Sequence, residues 1–296
     1  MRILLTGRGG QLGRALSRTL PALGELRALS RAELDISDEE ALLATLQSVS
    51  PQVIVNAAAY TAVDRAEQEL DAAQAVNAQA PAQMAKWAAS RGVILVHFST
   101  DYVFDGAKPE AYVETDEPCP LSAYGRSKLA GEEAIRQSGC NHLIFRTSWV
   151  FSGEGSNFVK TILRLASERE TLRVVTDQIG SPTSTRLLAE ITCAALSRRI
   201  AGGTYHAACS GSESWHGFAR QIVWGALARG IRTSLTPDAI EAIASRDYPQ
   251  SAQRPLNSRL NTQKLSRALG LQMPPWQDEL HAVLGTIAAF EYGFVR

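Results

Sequence analysis

Cysteine is scarce in this chain, with four in 296 residues. Cys119, Cys140, Cys193 and Cys209 show no C-x-x-C spacing, so neither a disulfide framework nor a zinc ribbon is expected. Scattered thiols of this kind fit a reducing cytoplasm. Long apolar runs are missing too. No stretch approaches ~18 residues, so no membrane span is expected. The N-terminus lacks the charged and apolar regions of a cleavable leader, and its few apolar residues read better as a first strand. An excess of one charge is also absent: thirty basic residues balance thirty acidic ones, with no basic block. That disfavours nucleic acid and anionic membranes as partners. Repeats and low-complexity segments are lacking, and the length suits one large or two modest domains with a real core.

What is present begins at residue 1. A short apolar run, Ile3 to Leu5, enters the turn Gly7-Arg-Gly-Gly10-Gln-Leu-Gly13 and then a helical pattern through Leu12, Leu16 and Leu20. This is the strand–turn–helix context of a dinucleotide fingerprint. The first glycine permits the tight turn, the second lets backbone approach a pyrophosphate, and the third lets helix pack on strand. The helix N-terminus offers N–H donors and a positive dipole. The bland alternative is an ordinary βα turn. At the end of the next strand, where an NAD site usually carries an acid, stand Ser30 and Arg31. Serine does not repel a 2′-phosphate and arginine can pair with one, which favours NADPH and leaves NADH as the alternative. Glu33 and Asp35 dilute that positive field.

Strand-like segments at Ile3–Leu5, Leu26–Leu29, Val53–Ala59, Val93–Phe98 and Leu143–Thr147 alternate with helices near 11–20, 38–48, 71–90 and 124–137. In the second helix, Ser37-Asp-Glu-Glu40 reads as a capping box with Ser37 as the cap. Apolar strands without polar alternation imply a parallel sheet buried on both faces. The expected fold is α/β: a doubly wound, Rossmann-like parallel sheet over residues 1–150, with a smaller mixed α/β substrate domain over 151–296. Some strands and helices of 170–235 are free to return to the first domain. Helices are expected near 157–169, 184–198 and 214–229, a short strand at Gly203–His206, a polar loop over 244–262 and a last helix from Trp276. Trp215, Phe218 and Trp224 read as core. Ligands of such a sheet gather beyond the strand carboxyl ends.

The chemistry centres on Tyr124-Gly-Arg-Ser-Lys128. On a helix, positions i and i+4 share a face, so hydroxyl and ammonium can converge. A cation beside the phenol is expected to lower its pKa from ~10 toward neutral. Alone, that spacing is common on solvated helix faces; the glycine turn gives it a cofactor to work with.

Taken together, Gly7–Gly13, Ser99-Thr-Asp101 and Tyr124/Lys128 resemble the extended short-chain dehydrogenase/reductases. Asn56-Ala-Ala-Ala-Tyr-Thr-Ala-Val-Asp64, Ser99-Thr-Asp-Tyr-Val-Phe104, Tyr124 through Glu132, Phe145-Arg-Thr-Ser-Trp-Val150, Gln178-Ile-Gly-Ser-Pro-Thr183 and Arg254-Pro-Leu-Asn-Ser-Arg-Leu260 resemble the dTDP-4-dehydrorhamnose reductase family in particular. These blocks run in order from residue 1 to beyond 260. The resemblance implies NADPH-dependent reduction of a dTDP-4-keto-sugar, the last step of dTDP-L-rhamnose synthesis, which in bacteria supplies surface polysaccharides such as O-antigen. It implies that Gly10, Gln11 and Leu12 hold the pyrophosphate and that Asp35 and Ile36 lie against the adenine. Ala59, Tyr60 and Thr61 would line the cleft, and Gly7, Gly13, Ser30, Arg31 and Phe98 complete the expected cofactor set. Tyr124 would protonate the alkoxide at C4, with Lys128 tuning it and anchoring the cofactor ribose. Thr100 would bond the carbonyl, and Thr100, Asp101 and Trp149 would contact the sugar. Thr100 as a strand-end turn, Asp101 as a cap and Trp149 as core are the structural alternatives, and Arg254 is chemically attractive beside a sugar-nucleotide diphosphate but reads first as a surface arginine.

Two departures stand out: Tyr60 occupies a position where the family often has histidine, and position 30 lacks an acid. Some relatives use Mg²⁺, but no His/Asp/Glu cluster has metal-ligand spacing and Ala15 offers no carboxylate, so no metal is expected. Monomer and homodimer both stay open. Two other readings stand beside the main one: a ketoreductase giving a different dTDP-deoxysugar epimer, and a non-catalytic NADP-binding partner resembling the regulatory subunit of methionine adenosyltransferase.

Overall fold

In the computed structural model, which describes residues 1–291, alternate residues of the same strands feed two separate cores. The elements in chain order are β1 Arg2–Thr6, α1 Gln11–Thr19, β2 Glu25–Leu29, α2 Glu39–Val49, β3 Val53–Asn56, α3 Val63–Ala66, α4 Leu70–Gln74, a π-helical turn Ala75–Gln79, α5 Ala80–Arg91, β4 Ile94–Thr100, α6 Ala123–Gln137 and β5 His142–Thr147. The second half continues with β6 Val150–Phe151, α7 Phe158–Glu168, β7 Leu172–Val175, β8 Ile179–Gly180, β9 Thr183–Ser184, α8 Thr185–Arg198, β10 Gly203–His206, β11 Glu213–Ser214, α9 Trp215–Leu227, β12 Ile240–Ile243, β13 Asn257–Ser258, α10 Gln263–Leu269 and α11 Trp276–Glu291.

Ile3, Leu5, Val53, Val55, Val96 and Phe98 pack on one face of the main sheet. Leu4, Ile54, Leu95 and Ile144 pack on the other. Burying such side chains stabilises by roughly 1.5–3 kcal/mol each, so both faces must be covered, and β-branched runs without polar alternation do this. The sheet order is β10-β5-β4-β3-β1-β2, and each of these pairs is parallel. Strand order reverses between β1 and β3, which places a crevice at their carboxyl ends. The doubly wound fold is as expected.

β10 returns from the second half to the sheet edge beside β5, and α8 shares the core cluster of α1 through Leu187, Leu188 and Ala195. The remaining second-half strands form pairs and a triplet outside the main sheet. Three readings need correction. Asp38 rather than Ser37 caps α2, accepting from the Ala41 N–H at 3.0 Å; Ser37 donates to Asp35 instead. The helix read over 71–90 is interrupted by the π-helical turn. Of the three aromatics on α9, Phe218 is core, Trp215 is half-buried, and Trp224 faces outward. Among the described residues no helix is long and apolar enough to cross a membrane.

Candidate functional site

Gly7 and Gly13 shape the turn that opens the crevice. Gly7 has φ +79°, and a Cβ there would lie 2.6 Å from the Ala58 nitrogen on β3's exit; a Cβ on Gly13 would meet the Gly7 carbonyl. Gly10 is different: its missing side chain faces open space, with Gly7 O at 3.4 Å the sole neighbour. It is the N-cap of α1, and no side chain caps that helix. A helix start with free donors and a bare cradle suits a pyrophosphate.

The cleft in front of it encloses about 530 Å³. Gly7, Gly10, Gln11, Leu12, Arg31, Asp35, Ile36, Ala59, Tyr60, Thr61, Phe98, Tyr124 and Lys128 line it, so the sequence-derived cofactor set is largely gathered in one place. Gly13 and Ser30 are outside the lining. Gly13 serves the turn from beneath. Ser30 instead binds Glu33, whose Oε2 accepts from the Ser30 N–H at 2.8 Å, the Ser30 hydroxyl at 2.7 Å and Arg8 at 2.9 Å. Glu33 is outside the cleft lining as well, its carboxylate held by Ser30 and Arg8. Arg31 pairs with Asp35 at 3.2 Å. Missed lining residues include Ser99, Thr147, Gly155 and Ser156.

Tyr124 rises from the first turn of α6, whose cap Ser122 accepts from the Gly125 N–H at 3.2 Å. Thr100 ends β4, donating to Asp101 Oδ1 at 2.9 Å and accepting from the Tyr102 N–H at 3.1 Å. Its hydroxyl also partners the Tyr124 phenol. The fold therefore brings Thr100, Asp101, Tyr124 and Lys128 together. Their electrostatics reverse the expected sign, because burial outweighs any help from a cation. Burial pushes Tyr124 up to about 12 and Lys128 down to about 8. Asp101 is pushed up to about 6 by its burial, and Ser258 faces the same carboxyl. A phenol that holds its proton at neutral pH is an acid rather than a base.

Behind the tyrosine, the stripe Tyr124, Lys128, Glu132 continues at helical spacing. Glu132 is buried and accepts from Arg146 at 2.9 and 2.7 Å and from Arg136 at 2.9 Å. Asn77, in the π-helical turn, accepts from the Tyr60 N–H at 2.9 Å and donates to Tyr60 O and Ser127 Oγ, both at 3.0 Å. A π insertion at such a point is a recurrent functional device. The Tyr60 phenol donates to Glu69 at 2.6 Å, a role the expected imidazole would share.

A second cavity of about 360 Å³ lies between the halves of the chain, lined by Val63, Tyr102, Phe158, Arg173, Trp215 and Arg254 among others. Arg254 is not a free surface arginine: it donates to Asp64 at 2.7 Å. Trp149 lines neither cavity. Its backbone is left-handed, φ +47°, a conformation costly for a bulky residue and concentrated at functional sites. Its ring stacks on Trp215 at 3.5 Å between centroids. Among the described residues no group of His, Cys, Asp and Glu is arranged to hold a metal.

A parallel sheet with a dinucleotide turn, and a threonine, tyrosine and lysine at its rim, define an NAD(P)-dependent oxidoreductase of the short-chain dehydrogenase/reductase kind. The RmlD substrate binding domain family matches residues 1–289, and the chain belongs to that family. It is 45% identical over 285 residues to the dTDP-4-dehydrorhamnose reductase of Burkholderia thailandensis, covering 94% of this chain and 96% of that one. The enzyme of the same name from Escherichia coli is 44% identical over 285 residues, covering 94% and 95%. Among solved structures, the dTDP-4-dehydrorhamnose reductase of Bacillus anthracis in complex with NADP is 36% identical with a TM-score of 0.89, covering 96% of this chain and 99% of that one.

Proposed function

We propose that this chain reduces the C4 keto group of dTDP-4-dehydro-β-L-rhamnose, giving dTDP-β-L-rhamnose, with NADPH as the reductant. The observation that carries the reading is Tyr124, a protonated phenol partnered by Thr100 at the rim of a cleft whose glycine turn and uncapped helix suit a dinucleotide. NADPH, when bound there, supplies the hydride to C4. Gly10, Gln11 and Leu12 would hold its pyrophosphate at the start of α1, and Asp35 and Ile36 its adenine. Lys128 would reach its nicotinamide ribose. Charge then develops on the C4 oxygen, where Tyr124 gives up its O–H proton and the Thr100 hydroxyl can donate once it turns from Asp101. General acid help of this kind contributes ~10²–10⁴-fold. In the resting site that hydroxyl donates to Asp101 through their 2.9 Å bond.

The dTDP moiety fits the second cavity, where Arg173 and Arg254 offer charge to a diphosphate and Phe158 and Trp215 offer faces to a base. Trp149, stacked on Trp215, would close on the sugar from beside that cavity. We assign the cofactor to residues 1–150 with the returning β10 and α8, and the sugar nucleotide to the remainder of 151–296. Balanced charge and four free thiols support a cytoplasmic protein without nucleic-acid or membrane partners; it would act as a monomer or homodimer.

The test is NADPH oxidation on mixing with the keto-sugar, followed by analysis of the product. The wild type should yield the rhamnose-configured sugar, whereas a talose-configured product would assign the other epimer. Tyr124→Phe should keep NADPH binding and lose at least ~100-fold in turnover. No consumption by the wild type would point to a binding partner instead of an enzyme.

A further inference from the structure

Tyr102 stands between the second cavity and the reducing rim, and no step above uses its hydroxyl. It lines that cavity together with Arg254. Its ring meets the Tyr124 ring edge-on, with centroids 5.8 Å apart and planes at 77°. The nucleotide seat and the acid thus share one aromatic pair. Asp101–Val103 form a single 3₁₀ turn at the end of β4. Within it the Tyr102 N–H donates to Thr100 Oγ1 at 3.1 Å. A Cβ on Gly125 would stand 2.2 Å from the Tyr102 carbonyl, so the first turn of α6, which carries Tyr124, also clasps the Tyr102 backbone. The phenol is in place before any ligand arrives.

Its hydroxyl is idle. The side chain is half-buried, yet the hydroxyl makes no hydrogen bond to any described residue and is not sealed from solvent. A tyrosine with a packed ring ordinarily finds a partner for its O–H. Burial, with the Asp101 carboxyl beside it, drives its pKa above the usual tyrosine value, while Arg254 pulls the other way. The group is therefore a donor that keeps its proton and stands near an arginine. Asp64 takes one of the five Arg254 N–H donors. An anion with several oxygens serves phenol and guanidinium together, whereas a sugar hydroxyl would leave the guanidinium unserved.

Which phosphate this is follows from the order of the ligand. In a dTDP-hexose the sugar ring separates C4 from the β-phosphate, and the α-phosphate and base lie beyond. With C4 at Tyr124, the first anion met on passing into the second cavity is the β-phosphate, and Tyr102 is the wall residue packed against Tyr124. We propose that the Tyr102 hydroxyl, beside Arg254, donates to the sugar-side phosphate and so fixes how far the sugar reaches toward Tyr124. This deepens the reductase reading and rests on the second cavity as the seat of the nucleotide.

Calorimetric titration of the full chain with dTDP, dTMP and NADP⁺ separates the contacts. Tyr102→Phe keeps the ring against Tyr124 and removes only the hydroxyl. In that variant dTDP should bind at least ~10-fold more weakly, while dTMP, which lacks the β-phosphate, and NADP⁺ stay within about twofold of wild type. The KM for the keto-sugar should rise about 10-fold with kcat unchanged, since a phosphate contact is made equally before and during hydride transfer. A packing role would lower kcat instead. Unchanged dTDP affinity, or an equal loss of dTDP and dTMP, would overturn the proposal. If the variant does not fold, 3-fluorotyrosine placed at position 102 of the full chain gives a second reading. Its fluorine resonance should move with dTDP and stay with dTMP; no response to dTDP would also overturn the contact. Failure of the reductase reading shows separately, as absent NADPH oxidation by the wild type, and a wrong seat shows as dTDP affinity indifferent to Arg254→Ala.

Discussion

At the scale of the residue, spacing in the sequence places Tyr124 and Lys128 on one helix face, and the fold puts them at the rim of one cleft. Their proton affinities were not readable in the same way, because burial comes from strands far away in sequence. His97 shows why: as a lone histidine in an apolar strand it signals nothing until β3 and α6 pack beside it. Asp101 offers a test. Its folded pKa, about 6, stands above its ordinary 3.8, so the folded state binds this proton more tightly than the unfolded chain does. Stability from this group is present below pH 4, falls as pH rises through the window from 4 to 6, and stays lost above it. Two units correspond to about 3 kcal/mol. Asp101→Asn should therefore raise stability at pH 7.5 by about 2 kcal/mol, flatten its dependence between pH 4 and 6, and lower kcat through the loosened Thr100. Denaturant melts across that range decide the matter; an Asn variant less stable at pH 7.5 than the wild type would refute it.

At the scale of the element, the strand–turn–helix start and the helices of the first half were visible from periodicity to within a few residues. The π-helical turn was not, since nothing in Ala75–Gln79 differs in composition from an ordinary helix. Its cause is tertiary. α6 approaches so closely that a Cβ on Gly131 would stand 2.1 Å from the Asn77 carbonyl. Asn77 in turn fixes both Tyr60 and Ser127, so this contact couples the cofactor wall to the helix that carries Tyr124 and Lys128. Gly131→Ala should cost about 1–3 kcal/mol in overpacking and reduce kcat more than it changes KM. Thermal melts and steady-state kinetics together would show this. Stability and kcat both equal to wild type would mean that the close approach is incidental.

For the molecule as a whole, the cofactor cleft was legible because one contiguous turn supplies much of it. The second cavity was not: its walls come from α7, β7, α9 and the loops around residues 63, 102 and 248–254, which sequence order scatters. Arg254 is the clearest case, reading as one more surface arginine until Asp64, 190 positions earlier, is found beside it. That pairing, with the Ala252 N–H donating to the same carboxylate at 3.1 Å, ties the 250s loop to α3. The two sites are separate enough to be perturbed apart. A charge-assisted bond to phosphate contributes about 1.5–3 kcal/mol, which is roughly 10–100-fold in affinity. Arg254→Ala should weaken dTDP binding by that factor while NADP⁺ binding, whose cleft lacks this residue, stays within about twofold. Calorimetric titration of each ligand separately measures both. A parallel loss of the two affinities would show that Arg254 acts through the packing of the loop, and would remove the second cavity as the seat of the nucleotide.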